Sequence, residues 1–118
     1  MAEHNDIGRL GENIACTYLE NKGYKILDKN WRWKKYEIDI VALQNNILVF
    51  IEVKTRQYGN GEFPEDIISH KKEKQLIEAA NAYIERKNTE YEAQIDVIYI
   101  LLKKYKHIIK HIKEALTP

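Results

Sequence analysis

The sequence predicts an α/β or α+β protein, a single sheet flanked by helices. Three observations carry that expectation. Ile7, Leu10, Ile14, Ala15, Tyr18 and Leu19 recur at helical spacing near the start. Residues 36–43 and 47–54 each alternate with period two about an Asn-Asn pair, the pattern of a β-hairpin. Residues 95–102 are so apolar on both faces that they suit an interior strand.

The elements follow in order. The first helix should run over about residues 6–22, capped by Asn5 or Asp6 and ended by Gly23 in the left-handed region. Gly8 and Gly11 weaken it intrinsically, which implies close packing or a backbone approach at its first turns. Residues 24–30 form a short extended segment, followed by Trp31-Arg32-Trp33 and Lys34-Lys35. The hairpin turns at Gln44-Asn45-Asn46, since Asn tolerates positive φ. Residues 58–66, with two Gly, Asn60 and Pro64, read as a loop. Ser69 or His70 opens a second helix, whose stripe is Leu76, Ala79, Ala80, Tyr83 and Ile84, and which ends near Lys87-Asn88. Residues 105–116 fit a strand or a short helix equally well.

With 118 residues, the chain is expected to be one domain spanning 1–118. Hydrophobic residues at 44% against 31% charged argue against disorder. A formal net charge of +1 points to no partner class, but charge is unevenly spread. Residues 22–35 hold six basic residues and one acid, and residues 103–113 hold five lysines and no acid. A lone Cys16 excludes an internal disulfide or a cysteine zinc site and fits a reducing compartment. With no signal-peptide core and no apolar run of membrane length, the expectation is a cytoplasmic protein without a membrane partner.

The hairpin register carries the chemistry. A turn at Asn45-Asn46 sets Asp39 opposite Glu52 and Glu37 opposite Lys54, with all four on one face. Two opposed carboxylates repel unless something neutralises them. A divalent cation with oxygen ligands, Mg²⁺ or Mn²⁺, would do so. Lys54 could then meet a phosphate or a metal-bound water, in a site suited to phosphodiester cleavage. The plainer alternative is a salt-bridge network in which Lys54 pairs with Glu37.

Asp39 followed by Glu52-Val53-Lys54 resembles the PD-(D/E)XK signature of restriction-endonuclease-like nucleases. The longer pattern resembles the YraN-like family of uncharacterised bacterial proteins. It comprises Gly11-Glu12, Ala15, Tyr18-Leu19, Gly23-Tyr24, Ile26-Leu27 and Asn30. It continues through residues 37–42 and 48–56 to Lys71, Ala80, Tyr83 and Asp96-Val97. The resemblance covers roughly residues 7–101. It implies a restriction-endonuclease-like core: a central mixed β-sheet, flanked by helices, with the acidic site on the hairpin. It also implies kinship with archaeal Holliday-junction resolvases, and hence Mg²⁺-dependent hydrolysis of DNA, branched DNA included. Carried over to this chain, Asp39 and Glu52 would be metal ligands joined by the Val53 carbonyl. Lys54 would be the catalytic lysine, and Glu12 would join from the first helix. Tyr36 stands where the family usually has Gly, Trp31 and Trp33 stand in a stretch that usually holds Arg and Gly, and no Pro precedes Asp39.

Nucleic acid, DNA ahead of RNA, is the expected partner. Thr55 and Arg56, leaving the strand after Lys54, are candidate phosphate contacts. So are Lys71, Lys72 and Lys74, which oppose the dipole in the first turn of the second helix, although a solvated face explains them equally. Trp31 and Trp33 amid Arg32, Lys34 and Lys35 could stack bases, or could serve packing or a dimer contact. Tyr58 and Phe63 could touch substrate from the loop. His107 and His111 lack a third ligand and read as surface residues. If junctions are the substrate, a two-fold homodimer is expected. Two rival readings remain, a non-catalytic nucleic-acid-binding module on the same fold and a protein-interaction domain with a structural acidic hairpin.

Overall fold

Residues 4–57 and 69–118 are described by a computed structural model of the chain. The elements in order are α1 (His4–Asn21), β1 (Lys25–Trp33), β2 (Tyr36–Gln44), β3 (Ile47–Gln57), α2 (His70–Lys87), β4 (Glu92–Leu102) and β5 (His107–Leu116). They build a five-stranded sheet in the order β1-β2-β3-β4-β5. All neighbours are antiparallel except β3 and β4. A parallel pair cannot be closed by a tight turn, and α2 lies in the crossover between these two strands. This mixed sheet between helices is consistent with the restriction-endonuclease-like core implied by the resemblance.

Local chemistry explains the boundaries. Gly23 at φ +92° ends α1, with the Tyr24 N–H donating back to the Leu19 carbonyl at 3.0 Å. Asn45 and Asn46 both take positive φ, 51° and 64°, as a two-residue hairpin turn of the primed type requires. Ser69 caps α2, its hydroxyl accepting from the Lys72 N–H at 3.2 Å, and Asn88 at φ 51° closes the far end. The helix starts at His70, as the sequence suggested.

Two apolar layers sandwich the sheet. On one face Ala15, Cys16 and Leu19 of α1 pack on Ile40, Ala42, Val49, Ile51, Ile98 and Ile100. On the other, Ala79, Ala80 and Tyr83 of α2 pack on Ile38, Val41, Leu48, Phe50 and Ile95. Tyr83 sits edge-on to both Trp31 (5.1 Å) and Phe50 (5.6 Å), and its hydroxyl donates to Asp28 Oδ2 at 2.7 Å. Trp31 is thus a packing group.

Residues 105–116, ambiguous by pattern, include the edge strand β5. Asp96, wholly buried, helps to hold it in place. Its carboxylate accepts from the Glu114 N–H (2.9 Å) and from Gln94 Nε2 (3.0 Å), and lies 2.7 Å from His111 Nε2. His111 Nδ1 lies 3.0 Å from the Tyr18 hydroxyl on α1. The surface reading of His111 is therefore corrected: its side chain is 6% exposed, enclosed between β4, β5 and α1. Tyr58 and Phe63 lie outside the described residues.

Candidate functional site

The middle hairpin keeps its expected register only part of the way. The β2–β3 ladder runs from Gln44↔Ile47 to Ile40↔Ile51 and stops there. Beyond it β2 stays with β1, through Trp31↔Ile38 and Arg32↔Glu37, while β3 stays with β4 as far as Gln57↔Leu102. The two central strands part at Asp39. In the gap, Asp39 Oδ2 accepts the Val53 N–H at 2.8 Å in place of a backbone acceptor. Asp39–Glu52 and Glu37–Lys54 are therefore not ladder pairs, and Glu37 instead binds Arg32 at 2.8 Å.

Strict alternation also fails at this point. Ile38 and Val41 share the α2-side layer, whereas Ile40 and Ala42 face α1. Asn30 on the neighbouring strand takes φ 52° beside the same break. A strand that changes partners here no longer holds a two-residue repeat. The result brings carboxylate oxygens of Glu12, Glu37 and Asp39 within 4.8 Å of one another. Glu37 was missed as a site residue. Its spacing two residues before Asp39 was the signal, but the assumed pairing with Lys54 gave it another role.

Glu52 stands outside this trio but near enough for its charge to act on Asp39, and it is 8% exposed. Its Oε1 lies 3.7 Å from Lys72 Nζ, and its Oε2 is buried without a hydrogen-bond partner. Burial pushes the Asp39 carboxyl up to about 8, with the Glu52 charge as the next cause. Burial likewise raises Glu52, opposed by Lys72 and Lys54, and raises Glu12, opposed by a hydrogen bond from Asn30. So many acids in one partly dry space cannot all ionise unless a cation enters. The donors are all hard oxygens and one is an orphan, so the residues fit Mg²⁺ or Mn²⁺.

The helices set this geometry. A Cβ on Gly11 would lie 1.7 Å from Thr55 Oγ1, so α1 presses its backbone onto β3 and delivers Glu12, the next residue, to the cluster. That meets the expectation of a close approach at Gly11, whereas a Cβ on Gly8 would meet nothing within 4 Å. The same contact corrects Thr55 as a phosphate contact, because its hydroxyl is buried against α1.

The remaining candidates fall around the cluster. Lys54 is partly buried and close enough to stabilise the Glu52 charge. Arg56 Nη1 donates to the Thr55 carbonyl at 2.9 Å. In the first turn of α2 it is Lys72 that reaches inward, while Lys71 and Lys74 are exposed. Lys34 is exposed, its Nζ 4.5 Å from the Trp33 ring centre. A cleft of about 240 Å³ beside the cluster is lined by Arg32, Lys35, Tyr36, Glu37 and Lys72 among others.

Comparison with known proteins gives a family. The model of the uncharacterised protein family UPF0102 matches residues 11–100, a span that contains every acid of the cluster. A UPF0102 protein of Flavobacterium johnsoniae is 42% identical over 119 residues, covering 98% of this chain and 97% of the relative. One of Bacteroides thetaiotaomicron is 42% identical over 118 residues, covering 100% and 98%. One of Flavobacterium psychrophilum is 39% identical over 115 residues, covering 98% and 97%. Among the described residues no helix is long and apolar enough to cross a membrane.

Proposed function

The chain belongs to the uncharacterised protein family UPF0102, the YraN-like family its sequence resembles, and we propose that it is a divalent-metal-dependent endonuclease acting on DNA. The observation that carries this reading is the convergence of Glu12, Glu37 and Asp39 within 4.8 Å beside a buried Glu52 with an unpaired oxygen. Asp39, Glu52 and Glu12 would hold the ion, with Glu37 at the same cluster. The Val53 carbonyl can join, because it leaves the strand on the same side as the N–H that meets Asp39. When bound, Mg²⁺ or Mn²⁺ would lower the pKa of a coordinated water and offset charge developing on a scissile phosphate.

The chain's own residues supply the rest. Lys54 extends from β3 two residues past Glu52 and offers three N–H donors to a phosphate oxygen or an attacking water. Lys72 flanks Glu52 from α2 and balances its charge before substrate arrives. Lys34, Arg56, Lys71 and Lys74 would add positive charge for the sugar–phosphate backbone, and Arg32 does the same beside Glu37. The proposed setting is the cytoplasm.

The test is cleavage of single-stranded, duplex, flap and four-way DNAs with Mg²⁺ or Mn²⁺. The parent should cut at least one of them. Asp39→Ala should abolish cutting while leaving DNA affinity intact, and Glu52→Gln should do likewise, which excludes a contaminating nuclease. Equal DNA binding with and without metal, and no cleavage of any substrate, would make the protein a binding module instead. Cutting of four-way DNA should go with a two-fold dimer, since paired cuts need two sites.

A further inference from the structure

The sheet pairings bring two turns to one end and leave the acids behind them. β3 and β4 run parallel and end together, with Gln57 beside Leu102, so the β4–β5 turn at residues 103–106 leaves from that end. β2 runs antiparallel to β3, so the β1–β2 turn at Lys34-Lys35 lies at the same end. Glu52 is five residues back along β3, about 17 Å at the usual strand rise. The two turns sit at opposite margins of the sheet, more than three strand spacings or about 14 Å apart because β2 and β3 have parted by then, with Glu37, Asp39 and Glu52 on the strands between them.

Both turns carry the same chemistry. Lys34 Nζ lies 4.5 Å from the Trp33 ring centre in one, and Lys104 Nζ lies 5.5 Å from the Tyr105 ring centre in the other. Tyr105 is 89% exposed and belongs to neither core layer, so folding does not account for it. Lys104 and Lys106 are exposed as well, and the Lys103 N–H donates to the Lys106 carbonyl at 2.8 Å, which closes the turn. Residues 103–113 contain five lysines and no acid. A partner that answers both the ammonium groups and the open ring is a polyanion bearing stackable rings. An acidic peptide would answer only the charge.

We infer that the β4–β5 turn is a second nucleic-acid contact, in which Lys104 and Lys106 meet phosphates and Tyr105 stacks on a base or sugar. With the β1–β2 turn it holds DNA on either side of the gap between β2 and β3, at the end of the sheet beyond the acids. The spacing from Glu52 to this turn corresponds to about five base pairs along a duplex. The inference rests on the nuclease reading above and names where its substrate lies.

The experiment is fluorescence anisotropy with a labelled duplex and a labelled single strand, in EDTA, over a range of salt. Lys104→Glu/Lys106→Glu should weaken duplex binding at least about ten-fold at low salt and reduce the salt slope by about two. Lys25→Glu/Lys87→Glu makes the same charge change at the opposite end of the sheet and should leave the slope near the parent's. Tyr105→Ala should weaken the single strand more than the blunt duplex. The Mg²⁺-induced rise in Tm should be the same in all of these variants as in the parent. If the two charge-reversed pairs weaken binding equally, or if polyglutamate competes as well as DNA for the turn, the inference fails while the nuclease reading stands. If the parent binds no DNA even at low salt, both fail.

Discussion

The metal-free protein should lose stability as pH rises, and Mg²⁺ should restore it only at the alkaline end. Asp39 ionises near 3.8 when free and near 8 in the fold, first through burial and then through the charge on Glu52. Between those values the unfolded chain has released a proton that the folded chain still holds. The stabilising contribution is complete below about pH 4 and lost as pH climbs through about 8. At about 1.4 kcal/mol per pH unit the window amounts to roughly 6 kcal/mol, shared between Asp39 and Glu52 because the two titrate together. For a chain of this length roughly 4 °C of Tm accompanies each kcal/mol. Thermal melts of the parent and Asp39→Asn, from about pH 5 to about pH 9 in EDTA, isolate this contribution from other groups. About three of those pH units fall inside that range, so the parent should lose about 15 °C more than the variant. Saturating Mg²⁺ should raise the parent's Tm near pH 9 by about 10 °C, have little effect near pH 5 where protons compete, and do nothing comparable for Asp39→Asn. Parallel pH profiles for parent and variant would refute the argument, as would a Mg²⁺ effect of one size at both pH values.

Four further outcomes follow from the packing and the charges around the site. Gly11→Ala should cost about 1–3 kcal/mol in denaturant melts and reduce the Mg²⁺ effect, because α1 must retreat from Thr55 and carry Glu12 with it. Gly8→Ala, where a Cβ meets nothing, should instead stabilise by about 0.5–1 kcal/mol. Asp96→Ala leaves three donors without their buried acceptor and should cost about 3–5 kcal/mol, with hydrogen exchange accelerating first in β5. Lys72→Met removes the cation 3.7 Å from Glu52 and should steepen the loss of stability with pH, read from the same melts.

Much of the fold was legible because its causes are local. The Asn45-Asn46 turn, the Ser69 and Asn88 ends of α2 and the two-sided apolar run in β4 each declare themselves within a few residues. β5 did not, because its pattern suited either state and its pairing with β4 settled the matter. His111 looked like a surface residue because its partners, Asp96 and Tyr18, are 15 and 93 residues away. Trp31 offered a stacking role that its contact with Tyr83 in α2 claims for the core.

The same division holds at the site. The sequence alone determined which acids are available, that Asp39 and Glu52 flank one hairpin, and that Gly11 marks a close approach of the first helix. Only the tertiary structure decided how they meet. β2 follows β1 and β3 follows β4 once the hairpin opens, and that choice of neighbours sets which way each side chain points. Glu37 and Asp39 consequently turn to Glu12, while Glu52 is met by Lys72. Alternation along a strand predicts a face only while the strand keeps its partner, and here it loses that partner at Asp39, the residue at the centre of the proposed chemistry.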